Sequence, residues 1–165
     1  MPLISKQKQI LGLVVWLALC FAAAAVGGIA SMQAKSFYGQ LVQPGWAPWP
    51  GIFGPVWTVL YTLMGIAAWL VWRPSGFGPN RLALTLFLLQ LALNALWTWL
   101  FFAWHLGALA FAEIIVLWVL ICATLISFWR VRPIAGGLLI PYLLWVSFAC
   151  VLNFSLWQLN PQILG

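Results

Sequence analysis

Hydrophobic positions in this chain are not spaced into the one-sided faces of water-exposed helices. They fall in long unbroken blocks. Five stretches, roughly 10–32, 52–72, 82–104, 106–129 and 134–157, are almost wholly apolar and together hold one charged side chain, Glu113. A helix needs about 20 apolar residues to cross about 30 Å of hydrocarbon, and each block is long enough. The pattern predicts an all-α, polytopic membrane protein, with a single domain over 1–165 built as a bundle of five transmembrane helices.

The links differ in kind. The stretch RPSGFGPNR, with Gly76, Gly78, Pro74 and Pro79, is a turn between spans two and three. His105, Leu106 and Gly107 leave almost no loop between spans three and four, so those helices must be antiparallel neighbours. VRP joins four to five, and a long loop, 33–51, separates helices one and two.

Charge placement gives the expected orientation. With five spans, Lys6, Lys8, Arg73, Arg81, Arg130 and Arg132 share one side and Lys35 stands alone on the other. Basic residues collect on the cytoplasmic side of membranes, which predicts a cytoplasmic N-terminus with the long loop and the C-terminus outside. The first span also has features of a secretory signal, two lysines and then alanines 22–25. Its apolar run continues to Met32, which favours a retained helix.

Composition agrees. The chain is 65% hydrophobic and 5% charged, against about 25% charged in soluble proteins, so its surface must face lipid. The net charge of +6 comes from basic residues scattered along the chain and is no nucleic-acid patch. Cys20, Cys122 and Cys150 lie inside apolar runs without metal or disulfide spacing.

Polar and aromatic residues recur at helical spacing within three spans. Trp57, Tyr61 and Gly65 share a face of span two. Gln90, Asn94 and Trp97 do so on span three, and Tyr142, Trp145, Ala149 and Leu152 on span five. Amides in hydrocarbon need partners, so Gln90 and Asn94 should point into the bundle; for Gln90, interhelical hydrogen bonding is sufficient reason. A rise of about 1.5 Å per residue puts these faces in the outer half of the bundle, beneath the long loop. Trp72, Trp104, Trp129 and Trp157 sit at span ends and read as interface anchors.

Above that level runs PGWAPWPGIFGPVWTVLY, residues 44–61. Proline restricts the backbone, glycine permits close approach and tryptophan offers a flat apolar face with one donor. The combination predicts a stiff apolar lid, with Pro55 in the first turn of span two. A pocket so lined suits a flat hydrophobic molecule with a few polar groups. A well-packed bundle with an aromatic belt is the alternative.

These same stretches resemble the TspO/MBR family, the translocator proteins and tryptophan-rich sensory proteins once called peripheral benzodiazepine receptors. The resemblance rests on Phe37-Tyr38, Leu41, Pro44-Gly45-Trp46-Ala47-Pro48, Gly54-Pro55-Val56-Trp57, Leu60-Tyr61 and Met64-Gly65. It continues in Gln90-Leu91-Ala92-Leu93-Asn94, Trp97, Phe101-Phe102, Pro141-Tyr142, Trp145, Ala149 and Leu152-Asn153-Phe154, covering roughly 37–157. It implies a five-helix bundle that pairs into homodimers in a bacterial cytoplasmic membrane. It implies binding of porphyrins and related tetrapyrroles, with sterols, isoquinoline carboxamides and benzodiazepines as ligands of other members. By the same resemblance Tyr38, Trp46, Trp57, Asn94, Trp145 and Ala149 line a loop-capped cavity, to which the helical faces add Tyr61 and Trp97. A stress-linked role in regulating tetrapyrrole levels follows from the bacterial members. The chain departs from the family where Phe37 replaces a usual tryptophan and where Trp49 separates Pro48 from Pro50. Phe154 and Gln158 stand where a cholesterol-contact pattern needs a tyrosine and a basic residue.

Little points to chemistry by side chains. His105, the only histidine, lacks a metal-ligand partner at i+3 or i+4 and reads as a turn residue. Glu113 is expected to be protonated, snorkelling or hydrogen-bonded within the bundle. No catalytic residue, required cofactor or metal is expected. The exception is light-dependent porphyrin breakdown, in which Trp57 and Trp145 would be the oxidisable indoles. A third reading is a scaffold acting through protein partners, with Ala24 and Gly28, or Ala103 and Gly107, allowing close helix contact.

Overall fold

The computed structural model describes residues 4–165, and among them it contains helices and no strand. Five long helical segments have the length and apolar character to cross a membrane. The first is α1 (Lys6–Ala30), opened by Ser5, whose hydroxyl accepts the Lys8 N–H. A short α2 (Ala34–Gln40) follows inside the long loop. The 3-10 turn Pro50–Ile52 runs directly into α3 (Phe53–Trp72). The third span is α4 (Arg81–Thr98) closed by a π turn, Trp99–Ala103. The fourth is α5 (Gly107–Val131). The fifth is broken into α6 (Pro133–Leu138) and α7 (Ile140–Leu159), and a last turn, α8 (Pro161–Leu164), follows.

The break in span five has a local cause. Pro141 has no N–H to give the helix and its ring crowds the carbonyl four residues back. The backbone turns at Leu139, the residue between α6 and α7. The turn between spans three and four is as tight as its sequence requires: the Trp104 N–H reaches back to the Trp99 carbonyl at 2.9 Å and the Leu106 N–H to Leu100 at 2.9 Å. His105 sits there at a φ of 54°, its ring stacked on Phe37 at 4.0 Å.

Helix α1 packs between α3 and α4, α4 runs along α5, and α5 lies against both halves of span five. Gly65 lets the α1 and α3 backbones come close, because a Cβ there would stand 3.2 Å from the Leu17 Cα. At the N-terminal end the Trp69 indole donates to the Gln9 carbonyl at 2.8 Å. The core between the helices holds Met64, Leu84, Phe87, Ile114, Ile121 and Phe128, all buried. The outside is equally apolar: Val14, Leu82 and Leu144 are 57%, 69% and 65% exposed. A surface of that kind is stable against hydrocarbon and not against water.

One asymmetry positions the site. Helix α3 packs well against α6 but scarcely touches α7. Spans two and five therefore meet on the side of the N-terminus and part on the side of the long loop.

Candidate functional site

Where those spans part, a cavity of about 460 Å³ opens. Its walls are built at helical spacing. Helix α3 contributes Trp57 and Tyr61, one turn apart, with ring centroids 5.6 Å from each other. Helix α7 contributes Trp145, Phe148, Ala149 and Leu152, and span three contributes Asn94 and Trp97 from α4 and Phe101 from the π turn. Ala24, Gly27 and Gly28 form the α1 wall, where small side chains leave the space open. Tyr38, Pro50 and Phe53 lie on the loop side.

The floor is a hydrogen-bonded chain across three spans. The Tyr61 hydroxyl donates to Asn94 Oδ1 at 3.1 Å, and Asn94 Nδ2 donates to the Tyr142 hydroxyl at 2.7 Å. Tyr142 in turn donates to Gln90 Oε1 at 2.6 Å. All four side chains are buried, Tyr142 at 1% exposure and Asn94 at 2%. Each hydroxyl proton has an acceptor, which is what a polar group surrounded by hydrocarbon requires. To one side, Trp97 Nε1 donates to Asn153 Oδ1 at 2.9 Å, and Asn153 Nδ2 donates to the Gly107 carbonyl at 3.1 Å. The Trp97 N–H is thereby spent on the wall and its apolar ring faces the cavity.

The long loop is tied down at its base. Phe37, Tyr38 and Leu41 are buried among Phe101, Leu152 and Leu156. The Tyr38 hydroxyl donates to the Pro48 carbonyl at 3.2 Å, and burial pushes its phenol above the usual range, so it stays a neutral donor. Asn160, just past α7, clasps Val42 by both backbone groups. Its Oδ1 accepts the Val42 N–H at 2.7 Å, and its Nδ2 donates to the Val42 carbonyl at 2.8 Å. The loop tip is not buried as a stiff apolar lid would be: Trp46 is 48% exposed and Trp49 is 73% exposed.

Seven of the residues singled out from sequence, Tyr38, Trp57, Tyr61, Asn94, Trp97, Trp145 and Ala149, line this one cavity. Trp46 does not; it stands edge-on against Phe148, with centroids 5.8 Å apart, on the far side of a lining ring. Sequence reasoning left out Phe53, whose ring meets both Tyr38 (5.6 Å) and Trp145 (5.9 Å). It left out Asn160 and also Lys35, the one charged residue of the lining. Lys35 stood out in the sequence only as the lone basic residue on its side of the spans, a signal of orientation and not of a site.

The remaining polar residues lie apart. Both Glu113 oxygens are buried with no hydrogen-bond partner among the described residues, so the side chain neither snorkels nor bonds within the bundle. Gly107 packs closely on Leu164 of its own chain, whereas Gly28 faces open space in the cavity wall. Trp104 and Trp129 are half exposed at span ends, as anchors would be. Trp157, partly exposed at the end of span five, packs against Phe111 and donates to the Gly165 carbonyl at 3.3 Å. No group of three metal-ligating side chains exists among the described residues. The cavity contains no carboxylate, histidine or thiol. It can enclose a flat apolar body and offer it a hydroxyl, an amide and one cation at the rim.

Comparison with known proteins agrees with this architecture. Residues 16–158 match the TspO/MBR family. The tryptophan-rich protein TspO of Chlorobaculum tepidum is 40% identical over 94% of this chain and 99% of its own length. Protein CrtK of Rhodobacter capsulatus is 39% identical over 89% of this chain and 91% of its own. The human translocator protein is 35% identical over 75% of each.

Proposed function

We propose, since the chain belongs to the TspO/MBR family, that this five-span membrane protein binds tetrapyrroles such as porphyrins in the cavity beneath its long loop. Bound porphyrin would serve translocation or sensing in stress-linked control of tetrapyrrole levels. The observation that carries the reading is the cavity itself: about 460 Å³, within the range of about 300–1,000 Å³ for small-molecule sites, walled by Trp57, Trp97 and Trp145. Flat indole faces suit a planar aromatic guest. Lys35 at the rim suits a guest with carboxylates at one edge, as porphyrin propionates are. In this orientation the rings enter toward Asn94 and the carboxylates stay toward the loop. Six of seven basic residues stand on the N-terminal side, which supports a cytoplasmic N-terminus and a cavity mouth facing outward. The family resemblance supports a homodimer.

The test is a titration of purified protein with protoporphyrin, followed by tryptophan quenching, alongside sterols and other tetrapyrroles. Trp57→Ala and Trp145→Ala are expected to weaken binding, and Trp129→Ala, which packs on Gly136 away from the cavity, is not. Equal weakening by all three would remove the cavity from the account. A second reading, light-dependent porphyrin breakdown, is favoured by the two indoles, Trp57 and Trp145, in the wall of one cavity. In an illuminated titration, Trp57→Phe and Trp145→Phe should then keep binding and lose product. Decay no faster than that of free porphyrin would end it.

A further inference from the structure

A second concavity lies on the lipid-facing surface, outside the cavity just described. It is a groove of about 390 Å³ along α1, lined by Lys8, Leu11, Gly12, Val15, Trp16 and Leu19, with Trp72 from the end of α3 as its side wall. The α1 residues recur at i, i+3, i+4, i+7, i+8 and i+11, which is one continuous face of the helix. Gly12 makes the groove: the Trp72 ring occupies the space where a Cβ would stand. Leu11, Val15 and Leu19 remain 62%, 47% and 41% exposed, so none of the described residues fills it.

The groove has a length and a charged end. Eleven residues from Lys8 to Leu19 rise about 16 Å, close to half of the roughly 30 Å hydrocarbon core. It therefore runs from one membrane surface to the midplane, the reach of one acyl chain. Lys8 marks the surface end. Nearby Arg73 is already engaged, its guanidinium 5.0 Å above the Trp69 ring. The chain's one acidic side chain, Glu113, is on α5, so neither α1 nor α3 offers Lys8 a carboxylate. A second copy would bring a second Lys8 and no carboxylate to meet it. A phospholipid with a net negative headgroup brings both the phosphate and the acyl chain.

We propose that this groove is a binding site for an anionic phospholipid of the leaflet on the N-terminal side, with its headgroup on Lys8 and one acyl chain lying along Leu11, Val15 and Leu19 beside Trp72. The test is native mass spectrometry of the full chain in detergent, titrated with dioleoyl phosphatidylglycerol or dioleoyl phosphatidylcholine. One phosphatidylglycerol per chain is expected to be held about fivefold more tightly than phosphatidylcholine, the effect of one lysine at a membrane surface. Lys8→Gln should erase that preference. Lys6→Gln removes the same charge outside the groove and should keep it. Val15→Trp fills the groove and should weaken both lipids while leaving protoporphyrin titration unchanged. Equal losses from Lys6→Gln and Lys8→Gln would reduce the effect to diffuse charge and overturn the proposal. So would undiminished lipid binding by Val15→Trp, or a fall in dimer without a fall in bound lipid, which would assign the groove to a second copy.

Discussion

Replacing Asn94 by leucine tests whether the cavity floor is held by directional bonds or by shape alone. The substitution keeps a branched side chain of similar size at a position 2% exposed. It deletes the acceptor of the Tyr61 hydroxyl and the donor to the Tyr142 oxygen. Tyr142 is not orphaned, because its own proton goes to Gln90 at 2.6 Å. Tyr61 is: its proton loses the one acceptor the structure gives it. Leaving a buried donor without a partner costs about 1–3 kcal/mol. Tyr61→Phe removes that donor instead, and loses one interhelical bond of about 0.6 kcal/mol. The two effects should not add. In the Asn94→Leu background the phenol is a liability, so the double variant is expected to be more stable than Asn94→Leu alone. Unfolding equilibria in mixed micelles, followed by far-ultraviolet circular dichroism, measure all four corners of the cycle. At this chain length about 1 kcal/mol moves Tm by about 2–4 °C, so the difference is resolvable. Independent sites add within about 0.3–0.5 kcal/mol. Additivity at that level would mean that the floor is only packed, and the argument from hydrogen bonding would fail.

Three further substitutions probe other parts of the frame. Asn160→Leu breaks both bonds to Val42 at about 1 kcal/mol each, which should raise cleavage of the loop around 41–49 in limited proteolysis by about 30-fold; an unchanged rate would show that the clasp does not hold the loop. Gly65→Ala places a methyl 3.2 Å from the Leu17 Cα and should destabilise the α1–α3 contact by about 1–3 kcal/mol, whereas Gly28→Ala, with open space around it, should not; equal thermal shifts would contradict the close approach. Glu113→Leu replaces a carboxyl that has no partner among the described residues and should leave stability unchanged or raise it, as removal of an unsatisfied polar group does; a clear loss in the same unfolding assay would reveal a bond absent from this structure.

The spans were legible because hydrocarbon imposes one rule on every residue inside it, and an apolar block of 20 residues obeys no other. What the blocks hid were the irregularities within them. Pro141 lies inside a block that reads as one helix, yet the backbone turns at Leu139; hydropathy does not register a missing donor. Residues 34–40, AKSFYGQ, lie in the link read only as a long loop, yet they form a helix, since the prolines begin only at Pro44. The cavity was legible in part because amides and aromatics at helical spacing mark an inward face. Trp46 carried the same chemistry without that spacing, and it lies behind Phe148. Asn160 was silent for a different reason. Its partner is 118 residues away in sequence, and a single amide past the end of a helix looks like a cap.

The break at Leu139 and the polar floor belong to one device. A bundle of continuous apolar helices in lipid closes on itself by packing, because an empty apolar cavity forfeits contacts on every wall. Here α6 stays against α3 while α7, beyond the break, does not, so the loop-side halves are set apart by the backbone and not by a guest. The chain from Tyr61 through Asn94 and Tyr142 to Gln90 joins spans two, three and five at the level where they separate. Its members can satisfy one another only while those spans keep their distances. Around the cavity Phe53 meets Trp145 edge-on at 69°, Trp57 meets Tyr142 of the floor at 70°, and Trp97 stacks on Phe101 at 19°. Edge-on and offset-stacked pairs are both arrangements that aromatic rings favour, and they brace the indoles in the wall. The loop, clasped at Val42 by Asn160 from the end of α7, then anchors the roof to the same helix that diverges. The space is held open from below by directional bonds and covered from above by a tether, and a planar guest would find its walls already in place.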